Sequence, residues 1–98
     1  MPAYIIAEVD VTDPAGFEEY RKLVPPTIQK YGGRYVVRGG ATKTLEGGWE
    51  PKRLVVLEFP TVEQAQRWYD CEEYGAPKAL RIKTTRSRLV LVEGVSGS

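Results

Sequence analysis

Apolar and polar positions alternate along four stretches of this chain, and two stretches between them repeat at steps of three and four. The first predicts strands and the second helices. Tyr4 to Val11, YIIAEVDV, reads as a strand with one wholly apolar face, Ile5, Ala7, Val9 and Val11. Its other face, Tyr4, Ile6, Glu8 and Asp10, turns polar toward the end. Asp13-Pro14 is a helix start, with a capping carboxylate before a proline suited to the first turn. Phe17, Tyr20, Val24, Ile28 and Tyr31 then form one stripe. Pro25-Pro26 falls inside it and predicts a kink, or a break and restart, near Val24. Gly32-Gly33 closes the helix as a left-handed cap.

The strand Arg34 to Arg38 follows. Strict alternation puts Arg34, Val36 and Arg38 on one face and Tyr35 and Val37 on the other. Gly39-Gly40 predicts a bulge or bend, Ala41 to Glu46 a bent extension, and Gly47-Gly48 a hairpin turn. Arg53 to Phe59 is the clearest strand, with Val55, Leu57 and Phe59 against Leu54, Val56 and Glu58. Thr61-Val62-Glu63-Gln64 is a capping box. The helix it opens carries Ala65, Trp68 and Tyr69 inward and ends near Cys71. A further helical segment from Pro77 to Thr84 is expected to bury Leu80. Arg88 to Val95 is the last strand, and Ser96-Gly97-Ser98 reads as a frayed tail.

Strand, helix, strand, strand, helix, strand is the order of a split βαβ repeat. The expected architecture is α+β and ferredoxin-like, one domain over residues 1–98, with a four-stranded antiparallel sheet and both helices on one face. The open face then carries Ile6, Glu8, Arg34, Val36, Arg38, Val56 and Glu58, with Leu91 and Glu93 of the last strand fitting it better than the covered face. Its apolar centre has nothing left in the chain to cover it. We therefore expect a homodimer packed sheet to sheet, burying about 1,600 Å² in total.

Composition narrows the chemistry. A net charge of +1 gives no reason to expect a nucleic acid, and the strand Arg53 to Phe59 lacks stacking aromatics for one. The longest apolar stretch at the start, Ala3 to Ala7, is too short for a membrane span. One cysteine, Cys71, and no histidine argue against an internal disulfide, a zinc or copper site and a histidine base. The expectation is a cytoplasmic protein with no metal and no cofactor. The candidate site centres on Arg38 and Glu58: antiparallel pairing of the second and third strands puts Glu58 within reach of Arg34 or Arg38. Arg38, with Arg34, would offer its guanidinium to a small anionic or phenolic ligand, and Glu58 would accept a proton. Gly39 would let the ligand near the backbone, and Tyr31 or Tyr74 would wall the pocket. The competing expectation is a purely structural dimer, in which these charges pair only to set register. Trp49, after its glycine turn, caps a cleft mouth or packs across the dimer.

DVTDPAGFEEY, VPPTIQKYGGRYVVRGG, LEGGWEPKRLVVLEFP and the later EEY…KALR together carry a resemblance. Over about Tyr4 to Gly94 the chain resembles the small bacterial proteins of domain-of-unknown-function family 1330. The resemblance implies a dimeric α+β barrel and marks Gly33, Arg38, Gly39, Arg53, Glu58, Tyr74 and Arg81, without bringing a reaction. Gly75-Ala76-Pro77 departs from that pattern, which has helix formers there. The wider group of dimeric barrels includes cofactor-free monooxygenases, haem-degrading enzymes and ligand carriers, and the missing histidine counts against the haem branch.

Overall fold

Each predicted start and stop signal can be followed into the computed structural model, which describes residues 1–95; the expected frayed tail at 96–98 lies outside them. Strand β1 spans Ala3–Val11. Helix α1 spans Pro14–Lys30, and the Asp13 carboxylate accepts from the Gly16 amide at 3.3 Å. The helix closes on Gly32 at φ +79°, where the Gly32 and Gly33 amides donate to the carbonyls of Gln29 and Ile28. Strand β2 is Arg34–Arg38 and β3 is Leu54–Phe59. Helix α2, Val62–Asp70, is capped by Thr61 Oγ1, which accepts from the Gln64 amide at 3.0 Å. The Gln64 side chain donates to the carbonyl of Tyr31 at 3.0 Å, so it helps close α1. Helix α3 is Glu72–Thr84 and β4 is Thr85–Glu93. The sheet order β2-β3-β1-β4, antiparallel throughout, is ferredoxin-like.

Four local expectations are corrected. First, α1 runs unbroken through Pro25 and Pro26. Pro26 is exposed and Pro25 only half-buried, so the carbonyls they orphan are near solvent, while Val24, Thr27 and Ile28 hold the inner face. Second, α3 begins at Glu72 and carries Gly75-Ala76-Pro77 inside it. Its inward stripe is Tyr74, Pro77, Arg81 and Thr84 rather than Leu80, which is half-buried. Pro77 lies near the middle of α3 and leaves the Glu73 carbonyl, on an exposed residue, without its intrahelical partner.

Third, β4 begins three residues earlier than expected, and its faces are the reverse. Leu89 pairs with Ala7 and Leu91 with Ile5, so both leucines join the core; Val90 and Val92 pair with Ile6 and Tyr4 on the open face. Fourth, β2 carries a β-bulge. Arg34 faces Glu58 and Tyr35 faces Leu57, but Val37 faces Val56 and Arg38 faces Val55, leaving Val36 as the extra residue. One extra residue inverts the alternation beyond it. Arg38 therefore shares the helix-covered side with Tyr35, and Arg34 lies on the open side with Glu58.

The core is Ala3, Ile5, Val24, Ile28, Leu57, Phe59, Ala65, Trp68 and Tyr74. Helix α2 lies directly on β1, β3 and β4, whereas α1 packs mainly on α3. This leaves a cleft between α1 and the sheet beside the bulge. No helix is long and apolar enough to cross a membrane among the described residues.

Candidate functional site

The cleft holds a cavity of about 50 Å³ between α1, α3 and the inner face of the sheet. Its walls are apolar: Phe17 and Val24 from α1, Tyr35, Val55 and Leu57 from the sheet, and Trp68 behind. Four arginines line it as well, namely Arg21, Arg38, Arg53 and Arg81, and no carboxylate does among the described residues. Arg38 lies over the Tyr35 ring at 4.4 Å and Arg53 over the Phe17 ring at 5.5 Å. Stacking of this kind holds a guanidinium in place while leaving its N–H edge free. The Nε atoms of Arg21 and Arg53 are buried without a hydrogen-bond partner. Burial, with the charges of Arg21 and Arg38 beside it, lowers the pKa of Arg53. Like charges are thus held together in an apolar cleft, and among the described residues Arg21 alone of the four has an ion-pair partner, Glu18 at 2.9 Å.

Gly39 fits this arrangement. It has φ +72°, and a Cβ there would lie 2.2 Å from Arg53 Nη1. The glycine therefore lets the Arg53 guanidinium lie against the backbone. Deeper in, Tyr20 and Tyr74 share a hydroxyl–hydroxyl hydrogen bond of 2.8 Å, and the Arg81 Nε donates to the Tyr74 hydroxyl at 3.3 Å. Arg81 is almost fully buried and also donates to Ser87 Oγ. Burial and the adjacent Tyr74 hydroxyl raise the pKa of Tyr20.

The expected site residues divide into three places. Arg38 and Tyr74 line the cavity, and Gly39 lies against Arg53, which lines it too. Arg34 and Glu58 meet on the opposite face: Arg34 Nε donates to Glu58 Oε1 at 2.6 Å and the Tyr4 hydroxyl to Oε2 at 3.1 Å. Arg34 first, then Tyr4, lowers the Glu58 pKa, which makes it a poor proton acceptor at neutral pH. The shared Arg38–Glu58 site is thus corrected by the bulge at Val36. Tyr31 is remote from both, with its hydroxyl on Glu73 at 3.4 Å beside the Lys30–Glu73 ion pair. Trp49 sits on the open face, its Nε1 donating to Glu8 Oε2 at 2.8 Å.

Tyr20 and Arg21 were not among the expected site residues. A signal for Arg21 existed: it lies four residues after Phe17 and three before Val24, a cation in the apolar stripe of α1. Arg81 likewise lies seven residues after Tyr74, in the stripe of α3.

The same fold occurs in a protein of unknown function from Rhodopseudomonas palustris, at TM-score 0.77 and 16% identity, covering 98% of this chain and 84% of that one. A dimeric ferredoxin-like protein of unknown function from Jannaschia sp. matches at TM-score 0.70 and 10% identity, covering 96% and 100%. SnoaB, a cofactor-independent oxygenase from Streptomyces nogalater, matches at TM-score 0.65 and 13% identity, covering 98% and 95%. No curated protein matches the chain by sequence. Residues 2–95 match a family profile, and the chain belongs to the family described as domain of unknown function (DUF1330).

Proposed function

We propose that this chain binds a small organic anion in the cleft, with Arg38 and Arg53 as the clamp on its carboxylate and Arg21 beside them. The observation that carries this is the convergence of cations on an apolar cavity that no carboxylate of the described residues lines, two of them with a buried Nε that has no partner among those residues. Like charges gathered in a partly dehydrated cleft repel one another until a counter-charge arrives, and a carboxylate matches the fork of an arginine. The cavity holds a handful of non-hydrogen atoms, since about 10–15 Å³ admits one water. That favours short acids over large aromatic ones. Glu58 has no part in this site, and no carboxylate among the described residues lines the cleft to take a proton, so the reading is of a binding site.

Two copies are proposed to pair through the open face. Ile6, Val56 and Val90 are cross-strand neighbours at its centre, and Val36, Val90 and Val92 are exposed. Each flanking carboxylate is already satisfied, Glu8 by Trp49 and Arg88 and Glu58 by Arg34 and Tyr4. An apolar band between neutralised charges suits self-association, and the Jannaschia relative is described as dimeric. Cytoplasmic placement is proposed on the single cysteine.

The test is a melting-temperature screen with short carboxylates at low salt. At ten times its Kd a ligand contributes about 1.4 kcal/mol, which is roughly 5–10 °C for a domain of this size. Arg53→Met keeps an apolar stem over Phe17 and removes the charge. The expected result is an unchanged or higher melting temperature in buffer and loss of the carboxylate-dependent rise. A parent protein that no carboxylate stabilises, or an Arg53→Met variant that keeps the full rise, refutes the site.

A further inference from the structure

The proton count around Tyr20 and Tyr74 leaves one donor without an acceptor. Each phenol has a single proton. One of the two protons lies in the 2.8 Å bond between the hydroxyls, and Arg81 only donates to Tyr74. Whichever hydroxyl donates within the pair, the other proton finds no acceptor among the described residues. The two directions differ in cost. Tyr74 is 0% exposed, so a spare proton there would be buried with no partner. Both phenols line the cavity, but Tyr20 is only half-buried, so a spare proton there is the more accessible of the two. The favoured chain runs from Arg81 to Tyr74 to Tyr20, and the Tyr20 hydroxyl donates into the cleft.

Resting on the anion-site reading above, we infer that Tyr20 is a specificity-determining donor, and that the ligand is a short carboxylic acid bearing a second acceptor oxygen close to its carboxylate. The same 50 Å³ cavity is lined by the arginines and by Tyr20. It leaves room for only a few bonds between the carboxylate and the second oxygen, which points to 2-oxo and 2-hydroxy acids. The raised pKa of Tyr20 keeps this donor protonated at neutral pH. A methylene placed against the hydroxyl would strip it of any partner, whereas a keto or hydroxyl oxygen accepts its proton.

Pyruvate and propionate are the probes, since they differ in that one oxygen. NMR titration of the parent is expected to give a Kd for pyruvate about 10- to 100-fold below that for propionate. In Tyr20→Phe, pyruvate should weaken to the level of propionate while propionate stays within about 3-fold of its parent value. In Tyr74→Phe, Tyr20 keeps its proton and the preference should persist. A parent that binds both acids alike overturns the inference without any variant and leaves the anion site standing. So does a preference that survives Tyr20→Phe, and loss of preference in Tyr74→Phe alone moves the donor to Tyr74. If neither acid binds, the anion-site reading fails and takes this inference with it.

Discussion

Trp68→Ala is expected to lower the free energy of unfolding by about 3–5 kcal/mol. The indole is 1% exposed, stacks on Tyr74 at 4.2 Å between ring centroids and lies 5.6 Å from the Phe59 ring. Its Nε1 donates to Thr27 Oγ1 at 2.9 Å, and that hydroxyl donates in turn to the Val24 carbonyl at 2.7 Å. Removing the ring opens a void at the junction of α1, α2, α3 and the sheet, and leaves Thr27 without its donor. Since small domains hold only about 5–15 kcal/mol, the variant should melt lower by about 15–30 °C. Urea unfolding followed by circular dichroism gives the value. A loss below about 1.5 kcal/mol at an unchanged m-value would mean that the core closes over the gap.

Val90→Asp is expected to split the proposed dimer, raising its dissociation constant by at least about a thousandfold. Val90 is 57% exposed in the protomer and pairs with Ile6 at the middle of the open face. In a twofold assembly each substitution counts twice, so two carboxylates would be brought into an apolar contact with no partner. Because the side chain is exposed in the protomer, its fold should be retained. Light scattering on the eluting peak distinguishes one copy from two. Ile82→Asp is the control: Ile82, 61% exposed on α3, lies on the helical side and should change nothing. A parent that elutes as a monomer, or a Val90→Asp variant that stays dimeric, refutes pairing through this face.

Periodicity made the element order readable because each boundary has a local cause: Asp13 and Thr61 cap helices, Gly32 turns one off, and Pro60 follows β3. The departures came from non-local causes. Pro25 and Pro26 are tolerated in α1 because of which side of the helix meets the core. The faces of β4 depended on pairing with Ile5 and Ala7, and both of its faces are apolar in part, so alternation alone does not rank them. The candidate site was half readable. Arg38 and Tyr74 line one cavity, with Gly39 against the neighbouring Arg53, but the bulge that parts Arg38 from Glu58 has no glycine of its own to announce it. It falls in Tyr35-Val36-Val37, three residues of ordinary strand composition. The bend that was expected at Gly39 instead serves the approach of Arg53.

Strand β2 spends one residue more than its pairing with β3 requires. That surplus makes it tolerant of shortening at one point. Deleting Val36 would leave Arg34 opposite Glu58, Tyr35 opposite Leu57, Val37 opposite Val56 and Arg38 opposite Val55, each as before, in a straight ladder. The shortened chain should fold, keep the Arg34–Glu58 pair and still bind carboxylates through Arg38, with any change in affinity below about tenfold. Deleting Val56 from the partner strand has no such slack: it would put the residues on one side of the gap on the wrong faces, and the chain should not fold. A length variant that is neutral in one strand and lethal in its neighbour is what a bulge predicts and a regular hairpin does not. Relatives one residue shorter at this position can therefore carry the same arginine into the same cleft.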